Sequence, residues 1–205
     1  MRHFKGPKIF KAVAVTLALG LSATLVACGS SADSSVKSQT FSFVAPGGKT
    51  LITYDQGDRK PIAKFQGESL MEPGSIISLD QFDGEVVVLN AWGQWCAPCR
   101  TEVDDLEEVQ EAIAPKGGTV LGINVRDNSA EVARDFVKDN GLTYPSIYDP
   151  PFQTAAALGG VPASVIPTTI VLDRQHRVAA VFLREITAKE LLEVVNPLLD
   201  EPVGT

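Results

Sequence analysis

The fold of this chain is decided by residues 86–99, which read VVVLNAWGQWCAPC. Residues 86–91 form a nearly continuous apolar run rich in β-branched side chains, as is typical of a strand buried on both faces. The run leads into a Cys-x-x-Cys motif, Cys96 and Cys99, in which Pro98 suits the first turn of a helix. Residues at helical spacing then follow over 98–113: Glu102, Leu106, Val109 and Ile113. This stretch predicts a strand, a turn and a helix.

The segments downstream of this stretch continue the alternation of strands and helices. A helix is expected to start at Asn128, with Glu131 as its capping partner, and to stop before Gly141. Pro197 is expected to kink or fray the last helix. Composition and turn residues predict strands at 120–125, 168–172 and 178–183, and helices at 151–158 and 187–199. This order indicates an α/β fold whose first crossover joins parallel strands.

The segments upstream of residue 86 are predicted to be short β structure. Residues 41–44 and 51–54 flank a Pro-Gly-Gly turn, which favours a β-hairpin. Residues 76–79 lie between turn residues and predict another short strand. About 165 residues follow Thr40, a length that suits a single domain over 41–205.

The N-terminal segment has the pattern of a secretory signal. Residues 1–11 carry four basic side chains and no acidic one, and residues 12–27 are apolar or small. The apolar run ends at Cys28, which resembles a bacterial lipoprotein signal, cut before a cysteine that receives lipid. The Ser-rich residues 28–40 favour a flexible tether. An uncleaved anchor containing Cys28 is the alternative, and both interpretations place the domain outside the cytoplasm.

Charge and cysteine content narrow the class of protein. Beyond residue 27 the chain has 14 basic and 25 acidic residues, a net charge of −11, which argues against nucleic acid as a partner. Beyond Cys28 there are two cysteines, Cys96 and Cys99. An exported chain with one close pair is not a disulfide scaffold, which would have several spaced pairs.

The spacing of Cys96 and Cys99 predicts redox chemistry. The amide groups and dipole at a helix start favour negative charge, so Cys96 should ionise more readily than a free thiol and attack a disulfide. Cys99, one turn away, can then resolve the mixed disulfide. Two alternatives remain open. A zinc site would need further ligands that the chain does not offer, and a static structural disulfide would close too small a loop to stabilise much. No metal and no cofactor are predicted.

Two motifs together resemble the TlpA/ResA-like proteins of the thioredoxin type. They are the WGQWCAPCRTE segment from Trp92 and the Ile166-Pro167-Thr-Thr segment before a strand, within about residues 76–200. The resemblance implies a thioredoxin-like fold: a central mixed sheet flanked by helices, with an N-terminal β-hairpin addition. It also implies extracytoplasmic thiol–disulfide exchange, with Ala97 and Pro98 of the motif in the substrate groove.

The resemblance also assigns roles to single residues. Pro167 matches a cis-proline that lies against the disulfide, so Ile166 should face the active site; Pro162 is a second candidate for the cis-proline. Trp95 matches the tryptophan that forms an apolar wall beside the sulfur atoms, whereas Trp92 belongs to the core or to the same wall. Glu102 matches a glutamate near the thiols and is expected to exchange protons with Cys99. Its alternative role is a first-turn acid that favours the helix dipole.

The predicted function is reduction of protein disulfides by a membrane-anchored enzyme. The resemblance implies the oxidised Cys-x-x-Cys-His of apocytochrome c as substrate, a membrane electron donor of the CcdA type, and a lipid on Cys28 at the outer face of the bacterial cell membrane. Three alternatives stay open. They are a disulfide-donating oxidase of the DsbE/DsbF type, a peroxidase of the same fold, and a ligand-binding lipoprotein that uses the pair as a clasp.

Overall fold

A computed structural model describes residues 39–44 and 47–202. The predicted signal peptide, Cys28 and nearly all of the predicted tether lie outside these residues. Within the described part of the chain, no helix is both long and apolar enough to span a membrane.

The described residues form one eight-stranded mixed sheet in the order β1-β8-β7-β4-β5-β6-β2-β3. The central strands β4, β5 and β6 run parallel to one another, and β4 pairs antiparallel with β7. The parallel pairing of β4 with β5 confirms the predicted first crossover. The strands are β1 Leu51–Thr53, β2 Gln66–Ser69, β3 Ile76–Ser78, β4 Val86–Trp92, β5 Gly118–Asn124, β6 Ser146–Tyr148, β7 Thr168–Leu172 and β8 Val178–Phe182.

Three α-helices of the described chain accompany this sheet: α1 Ala97–Ile113, α2 Ala130–Asp139 and α3 Ala188–Leu199. The N-cap of α2 is Ser129, whose side chain accepts from the backbone of Val132, so the predicted start at Asn128 with Glu131 as capping partner is wrong by one residue. Thr187 and Glu190 form a reciprocal capping box at the start of α3. Pro197 lies inside α3, which continues to Leu199.

The apolar residues of the central strands fill cores in contact with both faces of the sheet. Every residue of β4, β5, β7 and β8 is buried. Because side chains alternate along a strand, Val86 and Val88 pack in one cluster with the apolar residues of α1 and α3, and Val87 and Leu89 pack in the other. Burial on both faces explains why these strands are continuously apolar.

The N-terminal hairpin is present but is built from other residues than predicted. β2 and β3 form the antiparallel pair, whereas β1 pairs with β8. Residues 41–44 form no strand; the amides of Phe41 and Phe43 donate to the carbonyl groups of Pro61 and Gly159. The predicted hairpin of 41–44 with 51–54 is therefore wrong. The predicted helix at 151–158 is a shorter 3₁₀ turn, Gln153–Ala157.

Candidate active site

The redox pair lies where the central strand β4 ends and α1 begins. Cys96 is the N-cap of α1, and Pro98 occupies its first turn, as predicted. Cys96 and Cys99 form a disulfide, with their Cα atoms 5.3 Å apart. Both residues are buried, Cys96 with 4% of its surface exposed and Cys99 with 1%. Ala97 and Pro98 are exposed beside them.

The helix start supplies a hydrogen-bond donor to the first sulfur. The backbone N–H of Cys99 donates to Sγ of Cys96 over 3.2 Å. A thiolate at this position would accept the same bond and lie at the positive end of the helix dipole. This geometry would favour a thiolate on Cys96, while Cys99 is the more buried of the two residues.

The Ile166–Pro167 peptide bond is cis, as the resemblance implied, and no other cis bond occurs in the described residues, Pro162 included. Sγ of Cys96 lies 3.7 Å from the carbonyl oxygen of Ile166. Pro167 is buried, and the half-buried Ile166 packs against both core clusters. The loop before β7 and the redox pair thus form adjacent parts of one surface.

The resemblance assigns the apolar wall beside the sulfur atoms to Trp95, the residue that directly precedes Cys96. Its side chain is 43% exposed, and its indole Nε1 donates to the carbonyl of Val125 over 2.9 Å. Gly93 makes room for this contact, since a Cβ there would lie 2.3 Å from Trp95 Nε1 and 2.8 Å from Val125 O. Trp92, by contrast, is a core residue whose ring lies 5.6 Å from that of Phe136.

A buried carboxylate that the sequence did not indicate holds the loop before Cys96. Oδ2 of Asp127 accepts from the backbone N–H of Gln94 over 3.0 Å and from Nδ2 of Asn124 over 2.6 Å. The carbonyl oxygen of Asp127 accepts from the hydroxyl of Tyr148 over 3.0 Å. Asp127 therefore fixes the Gln94–Trp95 backbone from the end of the neighbouring strand.

Glu102 is buried on the same face of α1 as Cys99, one helical turn along, with 1% of its surface exposed. Oε1 accepts from Nδ2 of Asn90 over 2.8 Å, and Oε2 accepts from the backbone N–H of Ile186 over 3.1 Å. Burial raises the pKa of Glu102 to about 7, although these two hydrogen bonds oppose the shift. Because α1 has no acidic residue in its first turn, the alternative of a first-turn acid that favours the helix dipole is wrong.

Asn90 extends this buried polar group to β7. Its Nδ2 also donates to the hydroxyl of Thr169 over 3.0 Å, which joins β4, α1 and β7 through side chains. One sign of this arrangement is visible in the sequence, where a polar residue interrupts the apolar run of β4. Across residues 39–44 and 47–202, His, Cys, Asp and Glu side chains form no cluster that could hold a metal ion.

The site and fold define a thiol–disulfide oxidoreductase of the thioredoxin fold. The defining features are a redox-active Cys-x-x-Cys at a helix start, a cis-proline beside it and a mixed sheet. Residues 59–181 match the AhpC/TSA family, and the chain belongs to this family. Its similarity to ResA and DsbE proteins places it among the TlpA/ResA-like members.

Solved structures and curated relatives agree with this assignment. The chain is 64% identical to a secreted thiol-disulfide isomerase from Corynebacterium glutamicum, with a TM-score of 0.78 over 79% of this chain and 99% of the other. It is also 64% identical to a DsbF homologue from Corynebacterium diphtheriae, with a TM-score of 0.75 over 78% and 99%. Thiol-disulfide oxidoreductase ResA of Geobacillus thermodenitrificans is 30% identical over 122 residues, which cover 58% of this chain and 68% of the relative.

Proposed function

We propose that this enzyme reduces disulfides in exported proteins. The thiolate of Cys96 attacks one sulfur of the substrate disulfide and releases the other as a thiolate. Cys99 then attacks the mixed disulfide, which releases the reduced substrate and forms the Cys96–Cys99 disulfide. Two electrons pass from the enzyme to the substrate, and a membrane donor must return them.

The observation that carries the reducing direction is the buried carboxylate of Glu102, one helical turn from Cys99. A nearby negative charge disfavours a second negative charge in a buried site. An ionised Glu102 would therefore destabilise a thiolate on Cys99. Strong oxidants of this fold are oxidising because their reduced form is stabilised, and this arrangement works against such stabilisation.

Glu102 is also the proposed proton partner of Cys99. Because its pKa is about 7, it can both accept and donate a proton near neutral pH. It would take the Cys99 proton when that thiol attacks the mixed disulfide and return it when the pair is reduced again. Titration of the thiols in Glu102→Gln tests this role, and an unchanged Cys99 profile would refute it.

The proposed setting is the outer face of the cell membrane, with lipid on Cys28 as the anchor, residues 1–27 as a signal peptide and residues 28–40 as a tether. Its support is the N-terminal sequence pattern and the similarity to a protein from Corynebacterium glutamicum that is described as secreted. Labelled fatty acid should be incorporated into the wild-type protein in bacterial cells and not into Cys28→Ser; equal labelling of both would contradict this anchor.

The proposed substrate is the oxidised Cys-x-x-Cys-His segment of apocytochrome c, with a CcdA-type protein as electron donor. The resemblance to the TlpA/ResA-like proteins supports this choice, and ResA proteins are among the relatives of the chain. The reduced enzyme should reduce a peptide that carries this segment as a disulfide faster than a peptide with the same cysteines in scrambled flanking sequence. Equal rates would contradict the substrate.

The reduction potential of the Cys96–Cys99 pair tests the direction of electron flow. Equilibration with thiol–disulfide buffers should give a value near that of thioredoxin, about −270 mV. A value near that of DsbA, about −120 mV, would contradict the proposal because such a pair donates its disulfide.

A second candidate is an oxidase or isomerase of exported proteins. Its support is the 64% identity to proteins described as a secreted isomerase and as a DsbF homologue. A potential near that of protein disulfide isomerase, about −180 mV, or higher would favour it. Refolding of a reduced, disulfide-containing protein by the oxidised enzyme would then be the direct assay.

A further inference from the structure

Arg126 joins two segments that flank the redox pair. It follows Val125, the residue whose carbonyl accepts from the Trp95 indole. Its guanidinium carbon lies 5.9 Å from the centroid of the Trp95 ring, within the range of a cation–π contact. One guanidinium nitrogen donates to the carbonyl of Ala163 over 2.7 Å. A single side chain therefore contacts the Trp95 wall and the loop that leads to Ile166.

The backbone of Arg126 adds a second observation. Its φ angle is 58°, in the left-handed region that favours Gly or Asn. A residue with a long side chain is held there at a conformational cost, and such positions are concentrated at functional sites. Gly would adopt this backbone conformation at lower cost, so we attribute the presence of an arginine here to its side-chain contacts.

The charge of Arg126 is not used in an ion pair within the described residues, where the salt bridges involve other groups. The neighbouring carboxylate of Asp127 instead accepts from Gln94 and Asn124. Arg126 is exposed, and its guanidinium contacts an aromatic ring and a backbone carbonyl.

We propose that Arg126 is a positioning residue that holds the Trp95 wall and the 163–166 loop at a fixed separation for an extended polypeptide substrate. This inference rests on the proposed function. A small disulfide needs to reach only Sγ of Cys96, whereas a polypeptide must also contact the surfaces on both sides of that sulfur. Loss of Arg126 should therefore impair polypeptide substrates selectively.

The test compares two disulfides in single-turnover reactions of the pre-reduced protein: a peptide with an oxidised Cys-x-x-Cys-His, and hydroxyethyl disulfide. Thiol loss is followed by rapid quenching. In Arg126→Ala, the peptide concentration at half-maximal rate should rise about tenfold, which corresponds to about 1.4 kcal/mol. The limiting rate, the rate with hydroxyethyl disulfide and the reduction potential should stay at their wild-type values.

Three further variants distinguish a positioning role of Arg126 from an effect on folding and from an effect of its charge. Arg126→Gly suits the left-handed backbone and should retain thermal stability while showing the same peptide defect. Arg126→Lys keeps the charge but lacks the planar fork, so it should not restore peptide binding. Arg134→Ala removes the same charge and a hydrogen bond to the carbonyl of Leu70, and it should behave as wild type.

The inference is overturned if Arg126→Ala leaves peptide binding unchanged or slows the reactions with both disulfides equally. It is also overturned if Arg126→Lys restores peptide binding. Failure of the proposed function gives a different result, because the wild-type protein itself would then not reduce the peptide. If the wild-type protein reacts only in the oxidising direction, wild type and Arg126→Ala are compared in the same way, with the oxidised protein and the dithiol peptide as reactants. A wild-type protein that reacts in neither direction refutes both proposals.

Discussion

Replacing Glu102 by glutamine should remove a pH-dependent penalty from the stability of the folded protein. Glu102 accepts through both oxygens, from Asn90 and from the backbone of Ile186. A glutamine at this position keeps one oxygen that can accept from the Ile186 N–H. Its amide group, however, is a donor that would face the Nδ2 donor of Asn90. The Oδ1 atom of Asn90 is buried and has no hydrogen-bond partner in the described structure. A flip of the Asn90 amide would present that oxygen to the glutamine, so the variant should fold.

The magnitude follows from the shifted pKa of Glu102. Burial raises this pKa from 4.5 to about 7, and one pKa unit corresponds to about 1.36 kcal/mol. The full penalty is therefore about 3 kcal/mol. Because the folded state binds the proton more tightly than the unfolded state, stability falls as pH rises between these two values. The penalty is absent below about pH 4.5 and complete above about pH 7.

The assay is urea unfolding of the oxidised wild-type protein and the oxidised Glu102→Gln variant across this pH range. With the disulfide intact, Cys96 and Cys99 do not titrate, and groups common to both proteins cancel in the difference. The free energy of unfolding of the variant should rise relative to wild type by about 3 kcal/mol from the acidic to the alkaline end. A difference that is constant with pH would refute the assignment of this titration to Glu102.

Other substitutions test the remaining parts of the site. Cys99→Ser should let Cys96 form mixed disulfides without resolving them, so adducts with exported thiol proteins should accumulate on non-reducing gels; absence of adducts would refute the exchange mechanism. Gly93→Ala should displace the Trp95 indole from Val125 and shift its fluorescence to the red, and an unchanged spectrum would contradict the close packing seen here. Asp127→Ala leaves a backbone donor and an amide donor without an acceptor. It should lower the free energy of unfolding by about 2 kcal/mol in urea, whereas a wild-type value would show that water replaces the carboxylate.

The sequence by itself determined the central strand, the redox pair and the helix that follows, because each depends on residues close in the chain. Local burial and local geometry account for three of these patterns: the apolar run of β4, the proline in the first turn of α1 and the helical spacing of α1. Strand β7 begins and ends where it was predicted, at Thr168 and Leu172, for the same reason. The family motif likewise placed the cis-proline at Pro167.

The tertiary structure decided the features that depend on distant partners. Strands β2 and β6 are short and partly polar, so they exist through pairing with each other and with neighbouring strands rather than through a local pattern. Residues 41–44 look like a strand but have their backbone partners elsewhere. Asn90, Glu102 and Asp127 acquire their roles from hydrogen-bond partners 12 to 84 residues away. Such contacts form where the packed sheet and helices bring buried polar groups together. A local sequence pattern does not show which distant residues will meet there.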